Sequence, residues 1–300
     1  MIRQLQLANS LGQILDLNAD DSLLHDIDGL GLSLNNSYSS LGSSFILSGI
    51  GMSQNVLSGK LLLSAISDQS YQAFSDLIDF LNYQPYVLTY TTDAGSWHRD
   101  ARLKTAAKSE LGTSNRLDDD FGIEFMNPWY QLKQATSNSY PVDPSLGTFG
   151  KIYGGAQSAY YYDPSYTYIE ADQNAAKQKS FLVNNSSKYF DLENGSPCLI
   201  TVEGPTKNPS WAVLQGSTVV ANDGYFLSLV QGQKLIVSSF QESQYARIYN
   251  ADGSFTNVYQ YQDLTKTNFV KVPIGNSSFA FYVDAVAKVT LSWKQEKLAV

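Results

Sequence analysis

The sequence predicts a mainly β chain in two domains, with a single α-helix in the first. Three observations carry this. Apolar residues recur at every second position through most of the patterned stretches. The stretch 71–81 instead has the spacing of one helix face. A Ser-, Pro-, Gly- and Asn-rich run over 131–150 divides 300 residues into two parts, each long enough to bury its own core. The predicted domains are residues 1–135 and 136–300.

Taken in order, the first unusual element is 34–55, LNNSYSSLGSSFILSGIGMSQN. It is rich in Ser, Gly and Asn but has an apolar centre at Phe45, Ile46 and Leu47. It is too apolar for a free linker, and reads as a long hairpin or arm that needs a partner surface. A strand follows around Val56–Ser64. The helix comes next, with Tyr71, Phe74, Leu77, Ile78 and Leu81 on one face. Ser67 or Asp68 is the expected N-cap, and Asn82 and Pro85 stop it.

Leu88–Tyr130 then reads as strands closing the first domain, sealed by Pro128, Trp129 and Tyr130. Within it Phe121, Ile123 and Phe125 alternate, and Asp118–Asp120 reads as a solvated turn. In the second domain Phe279, Phe281 and Val283 alternate, as do Val289, Leu291 and Trp293. Asp252-Gly253 is a hairpin signal between ARIYN and SFTNVY. Gly224, Gly232 and Gly275 punctuate other short strands.

Composition narrows the function. Charged residues make up 16% of the chain, against ~25% in an ordinary soluble domain. Ser, Asn, Gln, Thr and 20 Tyr residues fill the gap. Tyr offers apolar area with a polar tip and suits strands and interfaces. The net charge is −8 and Lys and Arg form no run, which argues against specific nucleic-acid binding. The N-terminal stretch lacks an uninterrupted apolar core, so no signal peptide is expected, and no apolar run is long enough for a membrane span.

No motif assembles a catalytic or metal centre. The two histidines, His25 and His98, have no HxH, HExxH or CxxC context. Asp16–Asp21 departs from a calcium loop, with Asp21 where Gly belongs and Ile27 where Glu belongs. There is no GxSxG, P-loop or GxGxxG. Paired carboxylates of a hydrolase are spatial, so the sequence leaves that reading open. The single cysteine, Cys198, has apolar flanks and reads as an inert buried thiol, and a lone Cys fits a reducing cytosol. Trp211 either stacks on a sugar or caps a sandwich core; Trp97 and Trp129 pose the same choice, and the Tyr-rich 160–168 is a second arm candidate.

These segments, in this order, resemble the distal tail protein family of long, non-contractile-tailed phages. The N-terminal likeness runs through Leu15-Asp16-Leu17, Asp28-Gly29-Leu30-Gly31, the strand at 56–64, the helix, an Arg99-Asp100 and Lys108-Ser109-Glu110 strand pair, and Pro128-Trp129-Tyr130. The second half is similar to that family's galectin-like domain at Pro197–Ile200, Gly204-Pro205, Asn208–Trp211, Gly232–Leu235 and Tyr249–Gly253, and least clearly over 140–185. The resemblance implies an N-terminal β-sandwich with one helix and a belt-like arm, followed by a galectin-like β-sandwich.

It further implies a structural hub and not an enzyme, with no cofactor. Six copies would form a ring at the tail tip of the virion after assembly in the bacterial cytoplasm. The ring would join the major tail tube protein to the tail-associated protein and to receptor-binding or other baseplate proteins. Phe45, Ile46 and Leu47 would enter the neighbouring copy, and acidic residues would line part of a lumen through which DNA passes. The alternative is a carbohydrate-binding β-sandwich module for host cell-wall saccharide, with Trp211 as the stacking residue.

Overall fold

The computed structural model describes residues 3–63, 69–111, 116–136, 178–187, 195–284 and 286–300. The chain divides into two compact units, Met1–Gln131 with Glu296–Val300, and Leu132–Gln295. The expected Ser67 or Asp68 cap, the Tyr-rich 160–168 and most of the 140–185 arm lie outside the described residues.

The first unit begins with β1 (Gln4–Ala8), β2 (Ile14–Asp16), β3 (Asn18–Ala19) and β4 (Ser22–Asp28). It continues with β5 (Leu34–Leu41), β6 (Ser44–Met52) and β7 (Val56–Leu63), then α1 (Ser70–Leu81). β8 (Tyr86–Thr92), β9 (Gly95–Ala106), β10 (Leu117–Phe125) and β11 (Trp129–Thr136) complete the order. Antiparallel pairing links β2, β1, β8, β9, β10, β7, β4 and β3 in succession, with β11 beside the start of β9. The two ends of this succession meet at Leu17. Its N–H donates to the Leu5 carbonyl at 2.9 Å and its carbonyl accepts from Leu24 N–H at 2.8 Å.

The curled sheet encloses Leu5, Leu7, Leu57, Leu61, Leu88, Trp97, Phe121, Ile123, Phe125 and Trp129. The alternation of Phe121, Ile123 and Phe125 puts all three into this core. α1 adds Leu77 and Leu81 to it, with Phe74 and Ile78 partly buried alongside. The Tyr86 hydroxyl donates to the Leu81 carbonyl and ties the end of the helix to β8.

Three local expectations differ from what is seen. The helix is preceded by Gln69, whose side chain makes no capping bond. Asp118–Asp120 is not a turn: it opens β10 and pairs with Leu62, Leu61 and Lys60 of β7, because the pull of Leu117 and Phe121 into the core carries the strand through all three acids. Lys108–Glu110 follows the end of β9 and is not a strand; Ser109 N–H is held instead by both Asp119 carboxylate oxygens at 3.0 Å.

The second unit comprises β12 (Gln178–Asn185), β13 (Cys198–Glu203), β14 (Thr206–Lys207), β15 (Ser210–Gln215), β16 (Thr218–Gly224) and β17 (Ser228–Leu229). After these come β18 (Lys234–Ser238), β19 (Tyr245–Tyr249), β20 (Phe255–Asn257), β21 (Gly275–Tyr282) and β22 (Lys288–Lys297). One sheet runs β20-β19-β18-β13-β22 and the other β12-β21-β15-β16. Their inner faces meet over Ile200, Val202, Trp211, Val213, Leu235, Phe279, Phe281, Val289 and Leu291, which is sandwich packing. The β19–β20 hairpin turns at Asp252-Gly253, where φ of Gly253 is +83°.

The cut between units falls between Gln131 and Leu132, within β11 and at the start of the turn-rich run. The last five residues return to the first unit, where Val300 packs on the core and the Lys297 ammonium lies 4.5 Å from the Trp97 ring centre. No turn or composition signal marks that return.

Candidate assembly surface

The segment that stands out for function is β5–β6. Residues 34–52 contain no Asp, Glu, Lys or Arg. They form a two-stranded antiparallel sheet that pairs with no other strand among the described residues. All eight residues of β5 are exposed, and Phe45 of β6 is 77% exposed. A lone two-stranded ribbon is marginal in water, and an exposed apolar one is a pairing hazard unless something covers it.

The root of this hairpin is tightly built. Ser53 N–H donates to the Ser33 carbonyl, Ser53 Oγ to Asn35 Oδ1 at 2.8 Å, and Asn55 Nδ2 to the Gly31 carbonyl at 3.0 Å. Gly29 sits at φ +93°, and a Cβ there would lie 1.8 Å from the Val56 carbonyl oxygen. Only glycine fits that approach. The arm therefore leaves the first unit in a set direction.

Its register decides which side chains act together. Ser40 faces Phe45, Tyr38 faces Leu47, Asn36 faces Ile50 and Leu34 faces Met52, with a bulge between the Ser37 and Tyr38 pairs. Opposed residues share a face and neighbours along a strand alternate. Leu34, Tyr38, Phe45, Leu47 and Ile50 thus fall on one face. Ile46, opposite Ser39, falls on the other. Of the three residues expected at a ring interface, Phe45, Ile46 and Leu47, period-two alternation places Ile46 on the opposite face from its two neighbours. The bulge absorbs the extra residue at Ser48, so that Leu47 and Ile50, three apart, lie on the same side.

The other candidate residues resolve into structural roles. Trp211 is 1% exposed and packs 5.9 Å from Tyr225 and 6.0 Å from Phe281. Its ring has no open face for a sugar, which corrects the stacking alternative; inward-facing β15 alternation puts it in the sandwich core. Trp97 and Trp129 are buried likewise. In the Trp97–Asp100 quartet, Trp97 and Arg99 point inward. The Arg99 guanidinium lies 4.1 Å from the Phe125 ring centre and its Nε–H donates to the Asn127 carbonyl. Burial pulls its pKa down to about 10.

Asp100 faces the other way and accepts from the Tyr130 hydroxyl at 2.7 Å and from Asn127 Nδ2, fastening the Pro128–Tyr130 seal. His98 bonds Thr89 Oγ1 at 3.0 Å, and burial lowers its pKa. His25 Nε2 lies 2.9 Å from Asp118 and Nδ1 3.2 Å from Asp26. This links two acidic clusters far apart in sequence, on an exposed stretch of β4 and β10. Among the described residues, no group of three or more His, Cys, Asp or Glu could hold a metal ion. The Cys198 thiol is buried, and burial pushes its pKa up to about 12, the state of an inert thiol.

Sequence reasoning missed Asp223. It is fully buried in β16, accepts Gly224 N–H at 2.7 Å and Phe269 N–H at 3.0 Å, and burial raises its pKa to about 6. The signal available was a lone acid in an otherwise strand-like VVANDG, which also fits a turn.

The sequence of residues 4–126 matches the profile described as distal tail protein, N-terminal domain. The fold of the whole chain is similar to a chain of the phage P2 baseplate in its activated conformation with calcium, at TM-score 0.69 and 14% identity over 100% of both chains. The strontium form of that baseplate gives 0.68 at 14% identity, again over 100% of both. The crystal structure of the SPP1 Dit protein, titled a paradigm of hub adsorption apparatus in Gram-positive infecting phages, gives 0.55 at 12% identity over 98% of this chain and 99% of that one. No curated protein sequence matches. Residues 4–126 are thus similar to the N-terminal domain of distal tail proteins, and the fold of the whole chain is that of these baseplate and hub chains.

Proposed function

We propose that this chain is the hexameric hub at the distal end of a long non-contractile tail. Its first unit builds the ring and docks on the tail tube. The ring carries the tail-associated protein below, and the second unit holds receptor-binding or other baseplate proteins. The number six and these partners come from the family resemblance. The ring assembles in the infected cytoplasm and ends in the virion tail.

The observation that carries this reading is the uncharged, exposed hairpin 34–52 on a rigid root. A closed ring needs a surface on each copy that fits a different surface on the next. An arm that pairs with no other strand among the described residues supplies one half of such a contact. The low overall charge suits large contacts of this kind.

Mass photometry and negative-stain electron microscopy of the purified chain test it. The expected result is a ring, lost when residues 34–52 are replaced by Gly-Gly. The hydrogen bond from Ser53 N–H to the Ser33 carbonyl brings the cut ends together, so the rest of the first unit keeps its fold. A wild-type chain that stays monomeric at all concentrations, or a ring that survives the excision, overturns the proposal.

A further inference from the structure

We infer that residues 263–269 form a strap over the outer edge of β16, that the Asp223 carboxyl is its latch, and that loss of the Asp223 proton loosens it. β16 ends its four-stranded sheet and pairs there with β15 alone. The segment 263–269 bonds to its other side. Asp263 N–H donates to the Gly224 carbonyl at 2.8 Å and Asn268 N–H to the Asn222 carbonyl at 2.9 Å. Asn222 N–H donates to Thr267 Oγ1 at 3.0 Å, and Thr267 N–H donates to Asn222 Oδ1 at 3.0 Å. Phe269 N–H completes the set on Asp223 Oδ2 at 3.0 Å. All of these bonds end on Asn222, Asp223 or Gly224, so the strap is fastened at one place and can leave as a unit.

The closed strap is under tension. Asn268 and Phe269 stand in succession at φ +62° and +44°, a region that bulky L side chains rarely enter. Such a pair persists only where its surroundings over-determine it, and here the bonds to Asn222 and Asp223 do so. Asn268 Oδ1 is buried and takes no hydrogen bond from the described residues. Beside the strap lies a cavity of about 480 Å³ walled in part by Val220, Ala221, Thr267, Phe269 and Ile274. It leaves the turn room to move.

Asp223 couples the strap to pH. Its side chain is fully buried, and its two oxygens accept Gly224 N–H within β16 and Phe269 N–H from the strap. On the strap, the Lys266 ammonium reaches the Asp223 carbonyl at 3.4 Å and the Asp263 carboxylate at 3.7 Å. It makes no salt bridge to the Asp223 carboxyl. Gln262 and Tyr225, themselves bonded at 3.2 Å, stand beside that carboxyl, with Tyr259 next to Tyr225. The Cys198 thiol faces it from β13. Burial outweighs the N–H bonds, Gln262 and Lys266, and raises the carboxyl to about 6 from an ordinary 3.8. An opened strap returns the carboxyl to water. The closed form therefore holds the proton more tightly than the open one. Closure is firmest below pH ~4 and weakens as pH rises through 6, and the open fraction grows about tenfold between pH 5 and 7.

Hydrogen–deuterium exchange of the full chain, corrected for the intrinsic pH dependence of amide exchange, tests this. The Asp263, Asn268 and Phe269 amides are expected to be less protected than those of β13 and β22 at pH 7. Their protection should fall about tenfold from pH 5 to 7. In Asp223→Asn it should change less than twofold. Thr267→Val removes bonds to Asn222 and keeps the carboxyl, so protection should drop at every pH with the wild-type slope. Strap amides that exchange only in step with β13 and β22 overturn the strap. A fall below threefold, a rise with pH, or the wild-type slope in Asp223→Asn overturns the latch. Should Asp223→Asn fail to fold, the wild-type slope and the comparison with β13 and β22 still decide.

Discussion

At the residue scale, most candidate chemistry turns out to be packing, for one recurrent reason. In a strand, a residue's neighbours two positions away fix its side. Trp211 shares its side with Val213, so it lies in the sandwich with Phe281. Trp211→Ala is expected to destabilise the second unit by about 3–5 kcal/mol, seen as a lower melting temperature. Full stability in that variant would contradict the buried placement. Asp223 makes a sharper test. Its folded pKa of about 6 stands above its ordinary value of 3.8, chiefly through burial. The native state therefore binds the proton more tightly than the unfolded chain. The associated stability is full below pH ~4 and is lost as pH rises through about 6, by up to roughly 3 kcal/mol. Relative to Asp223→Asn, the wild-type second unit should melt lower with each step from pH 4 to 6.5. A pH-independent difference between the two would refute the assignment.

At the element scale, the hairpin root and the Tyr130 seal do different work. Gly29 has backbone where any side chain would go. Gly29→Val should therefore misdirect β5–β6 and abolish the ring while the rest of the sheet persists, as circular dichroism and mass photometry would record together. The seal depends on Asp100, which holds Asn127 and Tyr130 from one carboxylate. Asp100→Ala leaves these part-buried partners short of an acceptor, and about 1–3 kcal/mol of the first unit's stability goes with it. Chemical denaturation measures this directly, and a change under half that range would mean the seal stands on Trp129 packing alone.

At the scale of the whole molecule, a low-charge chain with an uncharged arm predicts how assembly responds to salt. Contacts made by apolar faces are not screened. Self-association should change less than threefold between 50 and 500 mM sodium chloride; a tenfold weakening would place the contact on the acidic stretch around His25 and Asp118 instead. Much of this architecture was legible in the chain. The alternation at Phe121–Phe125 and Phe279–Val283, the helix at 71–81, the Asp252-Gly253 turn and the arm at 34–55 are all local patterns. Such patterns report directly on strand, helix and turn. The return of Glu296–Val300 to the first unit was not legible, because contacts between distant segments leave no periodic trace.

The sequence by itself determined that this chain is mainly β, that it carries one helix and an arm without charge, and that it holds no compact catalytic motif. Those features follow from residue type and spacing. Only the tertiary structure decided the facing of the arm. Strand pairing and one bulge put Ile46 on the opposite side from Phe45 and Leu47 and bring Leu34, Tyr38 and Ile50 to join them. Register is a relation between two strands, and neither strand contains it alone.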